Sequence, residues 1–346
     1  MFKVNKFALS TLVLFCVSSP LVSWAGEVNN ESAKLANNSP LAAAISWQQS
    51  SAEYKALCHQ TYNIATQVID EHIRNGAYVK IDGKLCEESF CKLEDGCVIR
   101  YYRPLAIVLD IDETVVDNCG VEAWCVRNGL LYTPEIWSAW CKYQGDVPGA
   151  CREVPGAVNF LKHCLEVGVT PIYLTNRSES EREDTLHALI NLGLDNGHLN
   201  DCLILRDSKR DKREGKALLG FMGEKEDSGF AQEILNNQSD KAGRRIEIQT
   251  RYKVLGWFGD NLYDMPVLVH YGLKDGREVL EARDAEVKEH VAELGRTFFM
   301  LPNPIYGSWL KKQTVPADNM ASGMDDYGFG KWYEQHKGEL KGKSGR

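Results

Sequence analysis

The feature that most constrains this sequence is a run of five apolar residues that ends in a cluster of acids. Residues 105–109 (LAIVL) follow Pro104 and lead directly into Asp110 and Asp112. A short apolar run with these boundaries predicts a strand that is buried on both faces, as in a parallel sheet. Because ligands of open α/β sheets bind at the carboxyl ends of the strands, both aspartates are predicted to lie at a functional site. Helix capping is the competing interpretation of these acids.

Three later segments repeat the same pattern of an apolar run followed by polar residues. The second run ends in Thr175, Asn176 and Arg177, the third precedes the lysine-containing segment 209–216, and the fourth ends in Asp260 and Asp264. A hydroxyl, a lysine and a second acid pair therefore follow the first acid pair at successive strand ends. This is the set of groups that an aspartate-based phosphoryl-transfer enzyme needs.

The motifs DIDETVVDN, TNR and GDNLYD resemble those of the bacterial class C acid phosphatases, which include the lipoprotein 5'-nucleotidases. These enzymes belong to the haloacid dehalogenase (HAD) superfamily, and the resemblance covers roughly residues 47–309. It implies an α/β fold: a HAD-type, Rossmann-like parallel sheet flanked by helices, with a small cap and an N-terminal helical extension. It further implies that Asp110 is the nucleophile and Asp112 the general acid and base. A Mg²⁺ ion would be held by Asp110, the backbone carbonyl of Asp112 and Asp260, with Asp264 close by.

The resemblance also implies which residues bind the substrate. Thr175 and Lys212 would hold the phosphoryl oxygens, with Lys209 as the second choice, although solvated surface charge is the competing interpretation of both lysines. Flat aromatic rings near a phosphate site suit a nucleobase, whereas packing of the cap against the core is the commoner fate of such rings. The candidate substrate-binding residues are Asn176, Arg177, Trp137, Trp140 and Tyr306.

The sequence divides into five segments: a leader for export, a linker, an N-terminal extension, a globular core and a C-terminal tail. Lys3 and Lys6, a short apolar run and the small-residue end at Ala25 predict a cleaved signal peptide, and no clear lipidation motif precedes Cys16. The predicted boundaries are a signal peptide over 1–25, a disordered linker over 26–40, an N-terminal helix and cysteine-rich hairpin over 41–103, a HAD-like core over 104–310 and a tail over 311–346. Within the core we expect a cap at about 118–152 and a surface-loop insertion at about 223–246.

Charge and cysteine content restrict the cellular context. A net charge of -8 gives no reason to expect binding to a nucleic acid polymer, whose phosphates require a basic face, and the apolar run of the leader is too short to span a bilayer. A periplasmic or secreted location is therefore expected. Ten cysteines remain after the leader, and an even number in an exported chain predicts disulfides, with Cys86 to Cys97, Cys119 to Cys125 and Cys141 to Cys151 as local staples. A homodimer remains open.

Together these features predict an exported, magnesium-dependent acid phosphatase that hydrolyses small phosphomonoesters, with nucleoside 5'-monophosphates as the expected substrates. The reaction would pass through an aspartyl-phosphate. A broad-specificity phosphomonoesterase and a non-catalytic binding or storage protein of the same fold are the alternatives. A haloalkanoic acid dehalogenase would not need Asp112, so the second aspartate favours phosphate chemistry.

Overall fold

A computed structural model describes residues 40–222, 241–266 and 276–311 of the chain. The predicted signal peptide, the linker up to residue 39, most of the predicted loop insertion and the tail from residue 312 lie outside the described residues. None of the described helices is both long enough and apolar enough to cross a membrane.

The described residues alternate between helices and strands as an α/β chain does. The helices are α1 (Pro40–Ser50), α2 (Ala52–Asn75), α3 (Cys119–Arg127), α4 (Pro134–Asp146), α5 (Ala157–Val167), α6 (Arg182–Asn191), α7 (Ser208–Met222), α8 (Ala242–Arg251), α9 (Gly276–Glu289) and α10 (Ser308–Lys311). The strands are β1 (Tyr78–Ile81), β2 (Lys84–Lys92), β3 (Val98–Leu109), β4 (Val116–Asp117), β5 (Arg152–Glu153), β6 (Thr170–Ser178), β7 (Leu203–Arg206), β8 (Lys253–Gly259) and β9 (Phe298–Met300).

Five parallel strands form the centre of the molecule in the order β9, β8, β3, β6, β7. The apolar run at residues 105–109 is the buried half of β3, with each of these residues at most 3% exposed. Because every one of these strands runs in the same direction, their carboxyl ends meet at one edge of the sheet. The predicted α/β architecture with a parallel sheet is confirmed.

The N-terminal half of β3 continues outward as part of an antiparallel hairpin. Strands β1 and β2 add to it, with Cys86 opposite Pro104. Asp82 and Gly83 form the turn between β1 and β2, and both residues have a positive φ, of 48° and 81°. Such a turn suits the twist of a two-residue hairpin connection. Pro104 therefore lies within a strand rather than before one.

The single N-terminal helix that we predicted is divided into two. Helix α1 ends at Ser50, and the Ser51 side chain accepts a hydrogen bond from the Tyr54 backbone nitrogen (3.0 Å), which starts α2. A serine at this position satisfies one of the unpaired N–H groups at the helix start. Helix α2 then packs on the core and its Tyr62 hydroxyl donates to the Thr114 carbonyl (2.6 Å) in the loop after β3.

The predicted cap consists of α3, α4 and the small β4–β5 pair, inserted between β3 and β6. Helix α4 packs against α6 beside the sheet. At Gly145 of α4, an added Cβ would lie 2.7 Å from the Asp184 carbonyl oxygen of α6, so the close approach of the two helices depends on this glycine.

Two sequence predictions require correction. All ten cysteines of the described residues are free thiols, and eight of them are buried. Cys119 and Cys125 both lie in α3, and six residues of helix separate their Cα atoms by about 9 Å, beyond the roughly 7 Å that a disulfide spans. The predicted loop insertion at about 223–246 is also too long, because residues from Lys241 onward cap and form α8 and pack against the sheet.

Candidate active site

The loop after β3 carries the first two acids and is fixed by its own backbone. The Asp110 backbone nitrogen donates to the Phe258 carbonyl (2.9 Å), which ties the end of β3 to the end of β8. The carbonyl of Ile111 then accepts bonds from the backbone nitrogens of residues 114, 115 and 116. Glu113 has a φ of 58°, which is uncommon for a residue other than glycine. This tight turn directs the chain away from the sheet immediately after the acids.

Three carboxylates meet at the ends of β3 and β8. One oxygen each of Asp110, Asp260 and Asp264 lies within 4.8 Å of the other two. Gly259 allows this arrangement, because a Cβ at that position would lie 2.3 Å from Asp264 side-chain atoms. Asp264 also accepts a hydrogen bond from the Asn261 backbone nitrogen (3.0 Å), so it caps a short 3₁₀ turn as well as facing the cluster.

A buried lysine completes the cluster. The Lys241 ammonium donates to Asp110 Oδ1 (2.5 Å) and to Asp264 Oδ1 (2.8 Å), and the lysine side chain is only 3% exposed. Burial disfavours the charge on this lysine, but the two carboxylates outweigh that effect and raise its pKa. Lys241 is therefore a charged group at the centre of the site.

The lysine that we predicted from the sequence is elsewhere. Lys212 lies in α7 with an exposed side chain, and the second choice, Lys209, is exposed as well. Lys241 contacts the predicted nucleophile directly, whereas Lys212, within the described part of the chain, makes no hydrogen bond or ion pair with these acids. The structure therefore brings Lys241, rather than the predicted Lys212, into contact with the acids.

Lys241 is held in place by the start of α8. The Arg244 guanidinium donates to the Thr175 carbonyl (2.6 Å) and to Asn176 Oδ1 (2.7 Å) at the end of β6. Arg245 donates to the Tyr263 carbonyl (2.5 Å), in the turn that carries Asp264. The first turn of α8 thus spans two strand ends and brings Lys241 between them.

Burial and neighbouring negative charges raise the pKa values of two acids in this cluster, Asp110 and Asp260. Burial raises the pKa of Asp110 to about 7, with the Lys241 ammonium opposing the shift and the carboxylates of Asp264 and Asp112 adding to it. Burial, followed by the charges of Asp264 and Asp110, also raises the pKa of Asp260 well above its usual range. Asn303 donates to Asp260 Oδ2 (2.8 Å) and favours its charged form. Oxygen ligands in such a crowded anionic site suit a hard divalent cation, which would relieve the repulsion.

The second acid of the motif belongs to a different network, under the cap. Arg177 donates to Asp112 Oδ1 through Nη2 (2.8 Å) and Nε (3.0 Å), and its side chain is fully buried. Asn118 Nδ2 donates to the same oxygen (2.9 Å). Gln144 of the cap connects Arg177 and Asn118 to each other.

The residues at the end of β6 have distinct environments. Thr175 is fully buried, and its Oγ1 accepts a hydrogen bond from the Arg177 backbone nitrogen (3.0 Å). Asn176 is exposed, while its side-chain oxygen accepts from Arg244. Of the polar groups predicted on this strand end, Arg177 faces Asp112 rather than solvent.

The three predicted aromatic residues also differ. Trp137 is partly exposed, and the Arg177 guanidinium carbon lies 5.6 Å from the centre of its ring. Trp140 donates through Nε1 to Asn118 Oδ1 (2.8 Å), so it serves the network beneath the cap. Tyr306 is partly buried and packs on a small cluster that includes Ile45.

Several of these site residues were missed in the sequence. Lys241 and Arg244 fall within the predicted loop insertion, although the string KAGRR, shortly before the strand that leads into GDNLYD, is a signal for a helix start with clustered cations. Asn118 is the last residue of the DIDETVVDN motif, and its residue type alone does not indicate a contact with Asp112. The local sequence around Gln144 does not indicate a site residue. Its role depends on its partners Arg177 and Asn118, which lie far from it in the sequence. Asn303 stands between two prolines after the last strand, a position that could have indicated a turn at the site.

Comparison with known proteins gives consistent matches. Residues 8–309 match the family described as HAD superfamily, subfamily IIIB (acid phosphatase). Two solved structures of a class C acid phosphatase from Bacillus anthracis, one with tungstate bound, are similar in fold. Each is 24% identical; they cover 84% and 83% of this chain and 95% and 96% of their own, with TM-scores of 0.57 and 0.58. The resemblance predicted from the motifs is confirmed.

Proposed function

The chain belongs to the acid phosphatases of HAD subfamily IIIB and is thus a phosphoric monoester hydrolase, and on this premise we propose an exported, Mg²⁺-dependent enzyme that uses an aspartyl-phosphate. The observation that carries the proposal is the contact of Lys241 with Asp110 beside two further carboxylates. A buried cation next to a carboxylate nucleophile lets an anionic substrate approach it.

The metal assignment depends on the donor set. Asp110, Asp260 and the backbone carbonyl of Asp112 would hold Mg²⁺, with Asp264 close by, because this ion prefers oxygen ligands and is usually bound through one or two carboxylates and substrate phosphate. The raised pKa values of Asp110 and Asp260 fit a site that gains free energy from a cation. When bound, the ion would neutralise charge on the phosphoryl oxygens.

The chemical steps belong to the chain's own residues. An Asp110 carboxylate oxygen attacks phosphorus, and the bond from phosphorus to the ester oxygen breaks while Asp112 gives its proton to the departing oxygen. In the second step Asp112 takes a proton from water as that water attacks phosphorus. Phosphate leaves, the Asp110 carboxylate is restored and Asp112 is again protonated.

Lys241 and Thr175 are the proposed phosphate-binding pair. The Lys241 ammonium is a point charge beside the nucleophile, and charged donors make the stronger hydrogen bonds to phosphate. Because Thr175 Oγ1 accepts from Arg177, its own hydroxyl hydrogen remains for a phosphoryl oxygen. Asn176 would add a polar contact at the exposed rim. Arg177 is proposed to act on Asp112 instead of on the substrate.

A preference for nucleoside 5'-monophosphates is the finer part of the proposal. Trp137 keeps part of its ring exposed near Arg177, and Tyr306 follows the last strand of the sheet. Stacking of a base on such rings contributes about 1–3 kcal/mol. We propose Trp137 and Tyr306 as the base-binding rings, while Trp140 is engaged beneath the cap through Asn118.

Export is proposed on the leader sequence, with the mature protein acting in the periplasm or outside the cell. There it would release phosphate from molecules that do not cross the membrane. Mature protein purified after export should lack the first ~25 residues, as expected for a signal peptide. A full-length intact mass would contradict the proposal.

The direct test is hydrolysis of p-nitrophenyl phosphate by the purified chain. We expect turnover with Mg²⁺, loss of turnover after EDTA treatment and recovery when Mg²⁺ is restored. Turnover that is unaffected by EDTA would contradict metal dependence. A second assay compares adenosine 5'-monophosphate with glycerol phosphate, and equal values of kcat/KM would favour the broad-specificity alternative.

A further inference from the structure

The network around Asp112 makes its two carboxylate oxygens unequal. Oδ1 accepts three hydrogen bonds: from Arg177 Nη2 (2.8 Å), from Arg177 Nε (3.0 Å) and from Asn118 Nδ2 (2.9 Å). Among the described residues, Oδ2 accepts only one hydrogen bond, the longer one from Arg177 Nε (3.3 Å). The Asp112 side chain is 17% exposed, whereas that of Arg177 is fully buried. Oδ1 therefore faces the protein and is saturated with donors.

The orientation of the Asn118 amide follows from its other partners. Its Oδ1 accepts from Trp140 Nε1 (2.8 Å) and from Gln144 Nε2 (3.0 Å), and both of these groups can only donate. The Asn118 nitrogen must then point to Asp112. Hydrogen-bond partners of this kind are what distinguish the oxygen of an amide from its nitrogen.

Gln144 closes the network into a ring. Its Oε1 accepts from Arg177 Nη2 (3.0 Å), and its nitrogen donates to Asn118, so one residue of the cap holds both groups that bind Asp112 Oδ1. Gln144 and Asn118 are fully buried. A buried polar network in which every member has a partner fixes a single arrangement.

From this geometry we infer that Asn118 and Gln144 are positioning residues that hold Asp112 Oδ1, so that Oδ2 is the oxygen that exchanges protons with the leaving group and with water. The inference rests on the proposed function. The Oδ2–H bond breaks as its proton moves to the ester oxygen leaving phosphorus. Oδ2 later takes a proton from the attacking water, so each turnover returns Asp112 to its starting state.

The substitution Gln144→Met tests the inference, because methionine has a similar size and makes neither hydrogen bond. Proton donation matters most for a poor leaving group, and general acid catalysis contributes about 10²–10⁴-fold. If Asp112 is less well positioned, a part of this contribution should be lost. We expect kcat/KM to fall about tenfold for an alkyl phosphate and less than about threefold for p-nitrophenyl phosphate.

The matched control is Gln48→Met. Gln48 is also a buried helical glutamine (2% exposed), and it donates to Asp117 of β4 (3.1 Å) but not to Asp112. We expect this variant to affect the two substrates equally. Melting curves for both variants report any loss of folded protein.

Gln144→Glu provides a second variant that creates no cavity. A glutamate keeps the acceptor for Arg177 but, as a carboxylate, loses the donor for Asn118, so the same selective loss on alkyl phosphate is expected. Equal losses on the two substrates in both Gln144 variants, or no loss in either, would overturn the inference. A wild-type protein that hydrolyses neither ester would instead refute the proposed function.

Discussion

Replacement of Lys241 by methionine tests the central contact of the site. The lysine side chain is 3% exposed and lies between Asp110, whose side chain is 11% exposed, and Asp264, at 7%. Lys212→Met is the matched control, since it removes the same charge from an exposed position of α7. The two variants separate the lysine that the structure brings to the acids from the one that the sequence suggested.

The magnitudes follow from burial. Removal of one partner of a buried ion pair leaves the other charges uncompensated and costs about 3–5 kcal/mol. Removal of a donor to the charge that develops on the reacting group costs about 10²–10³-fold in turnover. An exposed charge away from such features changes stability by less than about 0.5 kcal/mol. Mg²⁺ should restore part of the stability of Lys241→Met, because it supplies positive charge to the same carboxylates.

Urea unfolding gives the stability term, and kcat/KM on p-nitrophenyl phosphate with saturating Mg²⁺ gives the catalytic term. We expect Lys241→Met to reduce both the free energy of unfolding and kcat/KM, and to reduce the free energy of unfolding more in EDTA than with Mg²⁺. Lys212→Met should match the wild type in both quantities. A Lys212 variant that loses activity as severely as the Lys241 variant would refute the reasoning. So would a Lys241 variant with normal turnover.

Three further predictions concern the acids and the aromatic rings. Asp110→Asn should abolish turnover. The melting temperature without metal should stay level or rise, because one of several clustered negative charges is lost. Activity near that of the wild type would exclude Asp110 as the nucleophile. The pKa of Asp110 in the folded protein is raised to about 7, so the free energy of unfolding without metal should fall as the pH rises toward 7. Mg²⁺ affinity, measured by calorimetry, should weaken when the pH is below that pKa. An affinity that does not change from pH 5 to 8, roughly one unit or more on each side of the pKa, would contradict this prediction. Trp137→Ala and Tyr306→Ala should each reduce the preference for adenosine 5'-monophosphate over glycerol phosphate; equal losses on both substrates would make the rings structural.

The fold could be predicted well from the sequence because its signals are local. The apolar run before Asp110 and the similar runs that follow each specify a buried strand without reference to distant residues. Asp82 and Gly83, which form the hairpin turn, are likewise residue types that favour a tight turn. Parallel strands then bring their carboxyl ends together as a matter of topology, so the grouping of Asp110, Asp260 and Asp264 followed from the strand order.

The lysine could not be assigned correctly by the same reasoning. Lysines are common on surfaces and several follow β7, and among these the family resemblance pointed to Lys212, with Lys209 as the second choice. What distinguishes Lys241 is the approach of α8 to two strand ends through Arg244 and Arg245. That approach depends on tertiary contacts across the sheet, and the sequence pattern of α8 does not predict such contacts.

The two aspartates of one motif show how the same residue type acquires two environments. Asp110 meets like charges and one lysine at the end of the sheet, where its carboxylate is costly without a cation. Asp112, two residues later, meets an arginine and an asparagine beneath the cap. Ile111, whose carbonyl is the acceptor of the tight turn, lies between the two acids, and the side chains on either side of it have different partners. Under the proposed mechanism Asp110 is the nucleophile beside a metal and Asp112 is the acid that exchanges protons, and the cap gives Asp112 hydrogen-bond partners distinct from the Lys241 contact of Asp110.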